Sequence, residues 1–443
     1  MRRSRGWLGQ WKWLRPGMGV KRWLVLLAAG LLLLGLAVTA LTRIPGVWRT
    51  LERLHAAEVN PILEVVLLGG CGLAIVALAV FGLNRTLISA FRRSDQAEVA
   101  EVVYRHRQRQ RGPKVVAIGG GHGLNTLLRG LKEHTDNITA IVTVADDGGS
   151  SGRLRRELGM LPPGDFRNCL AALSDAEGLV TQLFQYRFAE GTDLDGHSFG
   201  NLYLTAMTAI TGSFEGALEE SSRVLVVRGR VMPSTLAQVT LAAEVLAPEQ
   251  LETVGFEDAP AAAKLGRNGH NRVVQVIGES NIGHSQGRIQ RVYLQPQDAP
   301  AYPKAIRAVL DADLIVIGPG SLYTSVLPNL LVRDLREALA SSLAPKAYVC
   351  NVATQAGETA GYDVQDHAEA LISHVGRDVF SVVVANSNLI PDKTPGGGAE
   401  WVLPPKHGAL DVPLLLADLA DNQYPWRHDP AKLADALMGL IAE

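Results

Sequence analysis

The 443-residue sequence predicts an α/β fold, a parallel sheet with helices on both faces and an inserted α/β subregion, preceded by a two-helix transmembrane hairpin. Three observations carry this. Two uncharged apolar runs stand near the N-terminus. From Lys114 onward, short apolar runs alternate with helix-length stretches. Three glycine-rich turns follow such runs. Continuous apolar strands joined by helical crossovers belong to parallel sheets covered on both faces.

The apolar runs are WLVLLAAGLLLLGLAVTAL at 23–41 and VVLLGGCGLAIVALAVFGL at 65–83. At ~1.5 Å rise per residue, each matches the ~30 Å hydrocarbon layer. Arg2, Arg3, Arg5, Lys12, Arg15, Lys21 and Arg22 precede the first run with no acid among them, and Arg85, Arg92 and Arg93 follow the second. Positive flanks stay inside, so both ends are expected in the cytoplasm. The expected organisation is a basic cytoplasmic leader at 1–22, a hairpin at 23–83, a basic linker at 84–113 and a main domain at 114–443. The protein is then a two-span cell-membrane protein with a cytoplasmic main domain. A cleaved signal peptide competes for the first run, because Val38-Thr39-Ala40 resembles a cleavage site; the second run would still return the domain to the cytoplasm.

Charge divides the chain at the same place. Residues 1–113 carry 17 Lys+Arg against 6 Asp+Glu, and residues 114–443 carry 26 against 38. Basic membrane-proximal residues suit anionic lipid. An acidic main domain argues against nucleic acid as a partner, and the run YRHRQRQRGPK at 104–114 lacks stacking aromatics between its cations, which fits a linker or a lipid contact. Three cysteines without paired metal-ligand spacing fit a reduced compartment. The TPGGG cluster at 394–398 reads as a surface loop.

In the main domain, strands are expected at VVAI 115–118, ITAIVTVA 138–145, LIVI 314–317, AYVCNV 347–352 and VFSVVVAN 379–386, with LNTLLRGLKEH as the first crossover helix. A helical stretch at 163–185 and strand-like stretches at 223–232, 272–278 and 290–295 are assigned to the insertion. Ligands of such folds sit at the carboxyl ends of the strands. Three turns fall there: GGGHGL at 119–124, ADDGGSSGRLRREL at 145–158 and IGPGSLYTS at 317–325. Each can present backbone N–H groups to an anion, and together they describe a site for a phosphorylated ligand. After Gly119 and Gly121, the third glycine of a dinucleotide fingerprint would fall at Leu124, so no nicotinamide cofactor is expected.

The acid pair has several readings. Asp146 lies 25 positions after Gly121, near the place of a ribose-binding acid. Asp146 and Asp147 together could hold Mg²⁺ against phosphate oxygens, and Asp147 could instead cap the following helix. Three further polar runs stand where a core would not want them. PPGDFRNCLAAL at 162–173 brings Asp165, Arg167 and Asn168 to a helix start, as caps or ligand contacts. HSFGNLYLTAM at 197–207 offers His197, Ser198 and Asn201. NVATQAGETAGYDVQDHAEAL at 351–371 adds Asn351, Thr354, Gln355, Glu358 and Thr359. No nucleophile with its base can be assigned from spacing.

Taken in order, GGGHGLNTLLRGLK, VTVADDGGSSGRLR, PPGDFRNCLAALS, HSFGNL, GPGSLYTSVLPNLL and NVATQAGETAGY closely resemble the gluconeogenesis factor (YvcK-like) family, within the CofD-like superfamily of 2-phospho-L-lactate transferase. The resemblance covers about residues 114–443 and implies a Rossmann-like CofD fold. It also implies nucleotide-sugar binding, with uridine-diphosphate sugars foremost, and a role in growth on gluconeogenic carbon sources and in cell shape and envelope synthesis. It points to Gly120, Gly121, Gly123, Asn125, Asp146, Asp147, Ser150, Ser151, Asn168, Asn201, Gly320 and Ser321 as the crevice. A non-catalytic sensor is the expected role, with a protein partner in envelope synthesis and a homo-oligomeric state. The alternatives are a Mg²⁺-dependent phospho-group transferase and, behind it, an NAD(P)-binding oxidoreductase. The sequence departs from the family pattern at His122, where Thr is common, and at Ala353 and Ala356, where Met and Pro are often found.

Overall fold

The computed structural model describes residues 20–42, 61–91, 108–175, 177–189, 191, 194–248, 264–268, 271–285, 287–389, 399–405 and 410–442. Nearly all of the leader, the segment between the apolar runs, most of the linker and the TPGGG turn lie outside the described residues. The chain divides into two compact units, Met1–Val99 and Ala100–Glu443.

The first unit holds helices α1 (Val20–Thr42) and α2 (Pro61–Phe91). They pack antiparallel, with glycines where they meet. A Cβ on Gly30 would stand 2.7 Å from Val76, and one on Gly72 would stand 3.0 Å from Leu34. Small residues allow such close helix approach. Of the two expected spans, Val65–Gly82 is long and apolar enough to cross a membrane, whereas Arg22–Val38 is a shorter apolar helix.

In the second unit the strands β1 (Val115–Gly119), β2 (Ile138–Val142) and β3 (Arg230–Pro233) form one half of a parallel sheet. Strands β8 (Leu314–Ile317), β9 (Lys346–Val349), β10 (Val382–Asn386) and β11 (Leu414–Ala417) form the other. The sheet order is β11-β10-β9-β8-β1-β2-β3. All five residues of β1 and all four of β8 are buried, as a sheet covered on both faces requires. Helix α3 (Gly121–Leu131) shows how the sequence drives this packing. Leu124, Leu127, Leu128 and Leu131 recur at i, i+3, i+4 and i+7 and are fully buried. Leu124, in place of a third fingerprint glycine, is therefore a core residue.

Between β2 and β3 lie helices α4 (Gly149–Leu158), α5 (Gly164–Leu173), α6 (Glu177–Gln185), α7 (Phe199–Thr211) and α8 (Phe214–Val224). The insertion after β3 is an antiparallel sheet of β4 (Thr240–Pro248), β5 (Lys264–Asn268), β6 (Asn271–Ile277) and β7 (Arg288–Gln295), ordered β5-β6-β4-β7, with the short helix α9 (Glu279–Gly283) between β6 and β7. Later helices are α10 (Pro303–Leu310), α11 (Leu327–Leu330), α12 (Arg333–Ser341), α13 (Val364–Val375) and α14 (Pro430–Ala442).

Two expectations need correction. The helical stretch 163–185 was assigned to the insertion, but it forms α5 and α6 of the crossover from β2 to β3. The stretch 223–232 was assigned there too, but it ends α8, turns at Val226 with φ 51°, and enters β3 of the main sheet. Its apolar run VLVV is too short for periodicity to separate helix from strand. The strand-like stretches 272–278 and 290–295 do correspond to β6 and β7 of the inserted sheet.

Candidate functional site

The chain winds outward from β1 in both directions, through β2 to β3 and through β8 to β11. The reversal lies between β1 and β8, where open α/β sheets bind ligands. The turns after these two strands interlock. Gly120 is extended, and Gly121 at φ 63° opens α3. A Cβ on Gly123 would overlap the Pro319 carbonyl and stand 2.9 Å from the Gly320 nitrogen, so only glycine fits where the turns cross. Residues after β9 hold the β8 turn. Gly320 N–H donates to Asn351 Oδ1 at 3.3 Å, Asn351 Nδ2 donates to the Gly320 carbonyl at 3.0 Å, and Gln355 Nε2 donates to Ser321 Oγ at 2.8 Å. The Glu358 carboxylate then accepts from Tyr323 N–H at 3.0 Å and from Thr324 Oγ1 at 2.8 Å.

One side of the crevice is acidic. Asp165, near the start of α5, accepts the Gly121 N–H at 2.8 Å. Burial, reinforced by nearby Asp146, pushes its carboxyl up to about 6. Asp146 accepts Gly148 N–H at 2.9 Å, and its carboxyl is also pushed up by burial against that hydrogen bond. Glu279, which begins α9, is pushed up to about 8 by burial and then by Asp146, Asp147, Asp165 and Glu358. The two adjacent aspartates have different tasks. Asp147 does not cap α4; it accepts Glu279 N–H at 3.1 Å, Ser280 N–H at 3.0 Å and Ser280 Oγ at 2.6 Å, closing the start of α9. Asp146 raises the Asp165 pKa, so these two carboxylates stand near enough to feel each other's charge. No group of three or more His, Cys, Asp or Glu arranged to hold a metal occurs among the described residues.

Between these acids and α7 lies a buried hydroxyl–amide network. Ser151 Oγ accepts Gly164 N–H at 3.1 Å, Asn201 Nδ2 donates to Ser150 Oγ at 3.0 Å, and Ser150 Oγ lies 3.0 Å from His197 Nδ1. Burial and Arg153 lower the His197 pKa, which favours the neutral ring. The buried Oδ1 atoms of Asn125 and Asn201 accept no hydrogen bond. An unmet buried acceptor costs about 1–3 kcal/mol, which sets these two amides apart within the network.

Basic groups stand near the acids, with Arg167 on the same helix as Asp165 and coupled to it. His122, in the first turn of α3, has its pKa lowered by burial and then by Arg427, Arg167 and Arg129. Arg167 donates to Ser198 Oγ and, through Nε, to Asn168 Oδ1 at 3.3 Å. Arg427 lies over the Tyr424 ring at 5.5 Å, in the segment that leads from β11 to α14. The structure thus gathers Gly120, Gly121, Gly123, Gly320 and Ser321 at the strand reversal, and Asp146, Ser150, Ser151, Asn168 and Asn201 beside it. Asp165, Glu279, Ser280 and Arg427 join them without having been assigned to the crevice. Asp165 had a visible signal in PPGDFRN; the other three stand in no glycine-rich motif. A cavity of about 560 Å³ lined by Ser285, Arg288, Gly357, Glu358, Tyr362 and Asp366 adjoins this crevice through Glu358, and no glycine-loop residue lines it.

A doubly wound parallel sheet with an antiparallel insertion and acids at its strand reversal defines a CofD-like α/β protein, and the family model of 2-phospho-L-lactate transferase CofD matches residues 115–403. The gluconeogenesis factor of Bacillus subtilis (strain 168) is 52% identical over 338 residues, covering 75% of this chain and 99% of that protein. A relative from Nostoc sp. (strain PCC 7120 / SAG 25.82 / UTEX 2576) is 48% identical over 457 residues, covering 97% of this chain and 92% of its own length. A crystal structure of a UPF0052 family member from Bacillus halodurans superposes with a TM-score of 0.65 at 43% identity, covering 75% of this chain and all of that one. The chain belongs to the gluconeogenesis factor family, within the CofD-like superfamily.

Proposed function

We propose that this protein is a membrane-anchored receptor for a nucleoside-diphosphate sugar, a UDP-sugar foremost, and that through a protein partner it adjusts envelope synthesis, cell shape and growth on gluconeogenic carbon. The observation that carries the reading is the pair Asp146 and Asp165 at the strand reversal, one of them bonded to the N-terminal Gly121 of α3. Asp146 raises the pKa of Asp165, and a cation held between them would relieve that repulsion. Mg²⁺ is commonly held by one or two carboxylates together with substrate phosphates, so Asp146 and Asp165 fit it better than the adjacent pair Asp146 and Asp147. The metal would neutralise diphosphate charge on the acid side; His122, Arg167 and Arg427 would face the remaining anionic charge.

Anchoring is supported by the helix pair. Val25, Leu32, Val66, Leu73 and Phe81 are each at least 62% exposed, which suits lipid. The basic flanks support a topology with residues 43–60 outside and the second unit in the cytoplasm. Cysteines introduced singly at Thr50 and Ser94 in a cysteine-free background test this with an impermeant thiol reagent. Labelling at 50 and not at 94 in intact cells is expected; the reverse overturns the topology.

A transferase reading is favoured by one observation, the Asp165 carboxyl at about 6. A group titrating there can take the proton of an acceptor hydroxyl as that oxygen bonds to phosphorus and the nucleotide leaves. Calorimetry on the full-length protein with UDP-sugars and NAD(P), in Mg²⁺ and in EDTA, decides. Binding of a UDP-sugar that weakens in EDTA, with the ligand recovered intact, is the receptor outcome. Consumption of the ligand is the transferase outcome, and absence of binding by every nucleoside diphosphate overturns both.

A further inference from the structure

We infer that the cleft between β7 and the helices α12 and α13 is a second binding site, built for the phosphate group of a small phosphate monoester. The cleft encloses about 390 Å³ and is lined by Arg291, Tyr293, Arg333, Arg336, His374 and Gln290 among others. No Asp or Glu lines it, although acids outnumber bases 38 to 26 from residue 114 onward. Arg333 is bonded to Glu337 at 2.8 Å, with both side chains mostly exposed. Arg291 and Arg336 form no ion pair among the described residues. Arg291 and Arg336 line one concavity with Arg333, and the planar forks of all three match phosphate oxygens. Arg333 also opens the nine-residue helix α12, whose first N–H groups favour negative charge.

The shape excludes the main competitor, an acidic peptide added as a strand. Strand β7 is the edge of the inserted sheet, which is where such a peptide would pair. Val292 N–H, however, already donates to His374 Nε2 at 3.1 Å, and His374 Nδ1 lies 2.6 Å from the Ala370 carbonyl. With a proton on Nδ1 and an acceptor at Nε2, the ring is neutral and clamps the strand edge to α13. Burial and Arg291 hold it in that state. The remaining concavity has the size of a small-molecule pocket, and its polar groups are donors.

The site is independent of the crevice and stands or falls separately from nucleotide-sugar binding. The test is equilibrium dialysis of inorganic phosphate against full-length protein at fixed ionic strength, with EDTA present to silence phosphate bound through a metal. Wild type is expected to hold about one equivalent that the Arg291→Gln/Arg336→Gln variant binds about tenfold more weakly or not at all. Each single Gln variant is expected to show a partial loss, and Lys at both positions a partial recovery, which separates lost charge from lost fold. UDP-sugar affinity should be the same in all of these proteins. Identical phosphate isotherms for wild type and the double variant, or no phosphate bound by wild type, overturn the assignment.

Discussion

On one side of the crevice Asp146, Asp165 and Glu279 crowd together, each carboxyl raised by burial and by its neighbours. On the other, His122 sits among Arg427, Arg167 and Arg129 and is lowered. The two sets compensate each other only in part: Arg167 lowers the Asp165 pKa, and Asp165 and Asp146 raise that of Arg167, yet both carboxyls stay above the ordinary carboxylate value. On the proposed reading a metal–diphosphate ligand would bind against both sets at once, which is why the contrast bears on function more than either half alone.

The strongest way to break this comparison is Asp165→Asn. If Asp165 and Asp146 share Mg²⁺, the variant should bind UDP-sugar about 100-fold more weakly in Mg²⁺ and lose the difference between Mg²⁺ and EDTA in calorimetry. Full affinity in a folded variant would remove Asp165 from the site. On the opposite side, Arg427→Gln should cost about tenfold while leaving the Mg²⁺ dependence intact. A loss of Mg²⁺ dependence there would mean the two sides are not separate.

The acids also predict a pH signature. Glu279 has a folded pKa raised to about 8, so the stability tied to its protonated form is complete at low pH and is lost as pH rises through about 8. Above pH 7.5 the histidines, whose shifts are downward, are largely neutral in folded and unfolded chains alike. Metal-free protein should therefore melt at lower temperature at pH 8.5 than at pH 7.5, and Glu279→Gln should flatten that slope. A slope unchanged in the variant would deny the crowding.

A smaller effect sharpens the contrast between neighbouring acids. Asp147→Ala removes the acceptor at the start of α9 and should lower stability by about 1 kcal/mol, read as a denaturation midpoint, with Mg²⁺ dependence of ligand binding retained. The smallest change is expected from His122→Thr, within about threefold in affinity, because the neutral ring adds no charge to the rim.

What could be read from the sequence was local. Gly121 and Gly123 announce a tight crossing by their spacing after an apolar strand, and the crossing with Pro319 and Gly320 follows. Asp146 and Asp147 stood out as a pair, yet a sequence cannot say which way each of two adjacent side chains faces, and they part company at α9. Glu279 and Arg427 reach the crevice from 132 and 280 positions beyond Asp147, with no motif around them. Strand β4, TLAAEVLAP, is rich in Ala and Leu and has little intrinsic β preference; its pairing with β6 and β7 decides its state. The crevice glycines could thus be named in advance, while the partner acid of Asp146 had to wait for the packing.

The bond from Asp147 to α9 has a mechanical meaning. One peptide unit joins Asp146, at the strand reversal, to Asp147, which grips the start of α9 within the insertion through Glu279 and Ser280. Any cation that pulls Asp146 therefore tugs the insertion through a lever one residue long. If Asp146 holds a cation, amide exchange at Glu279 and Ser280 is where its arrival would first register.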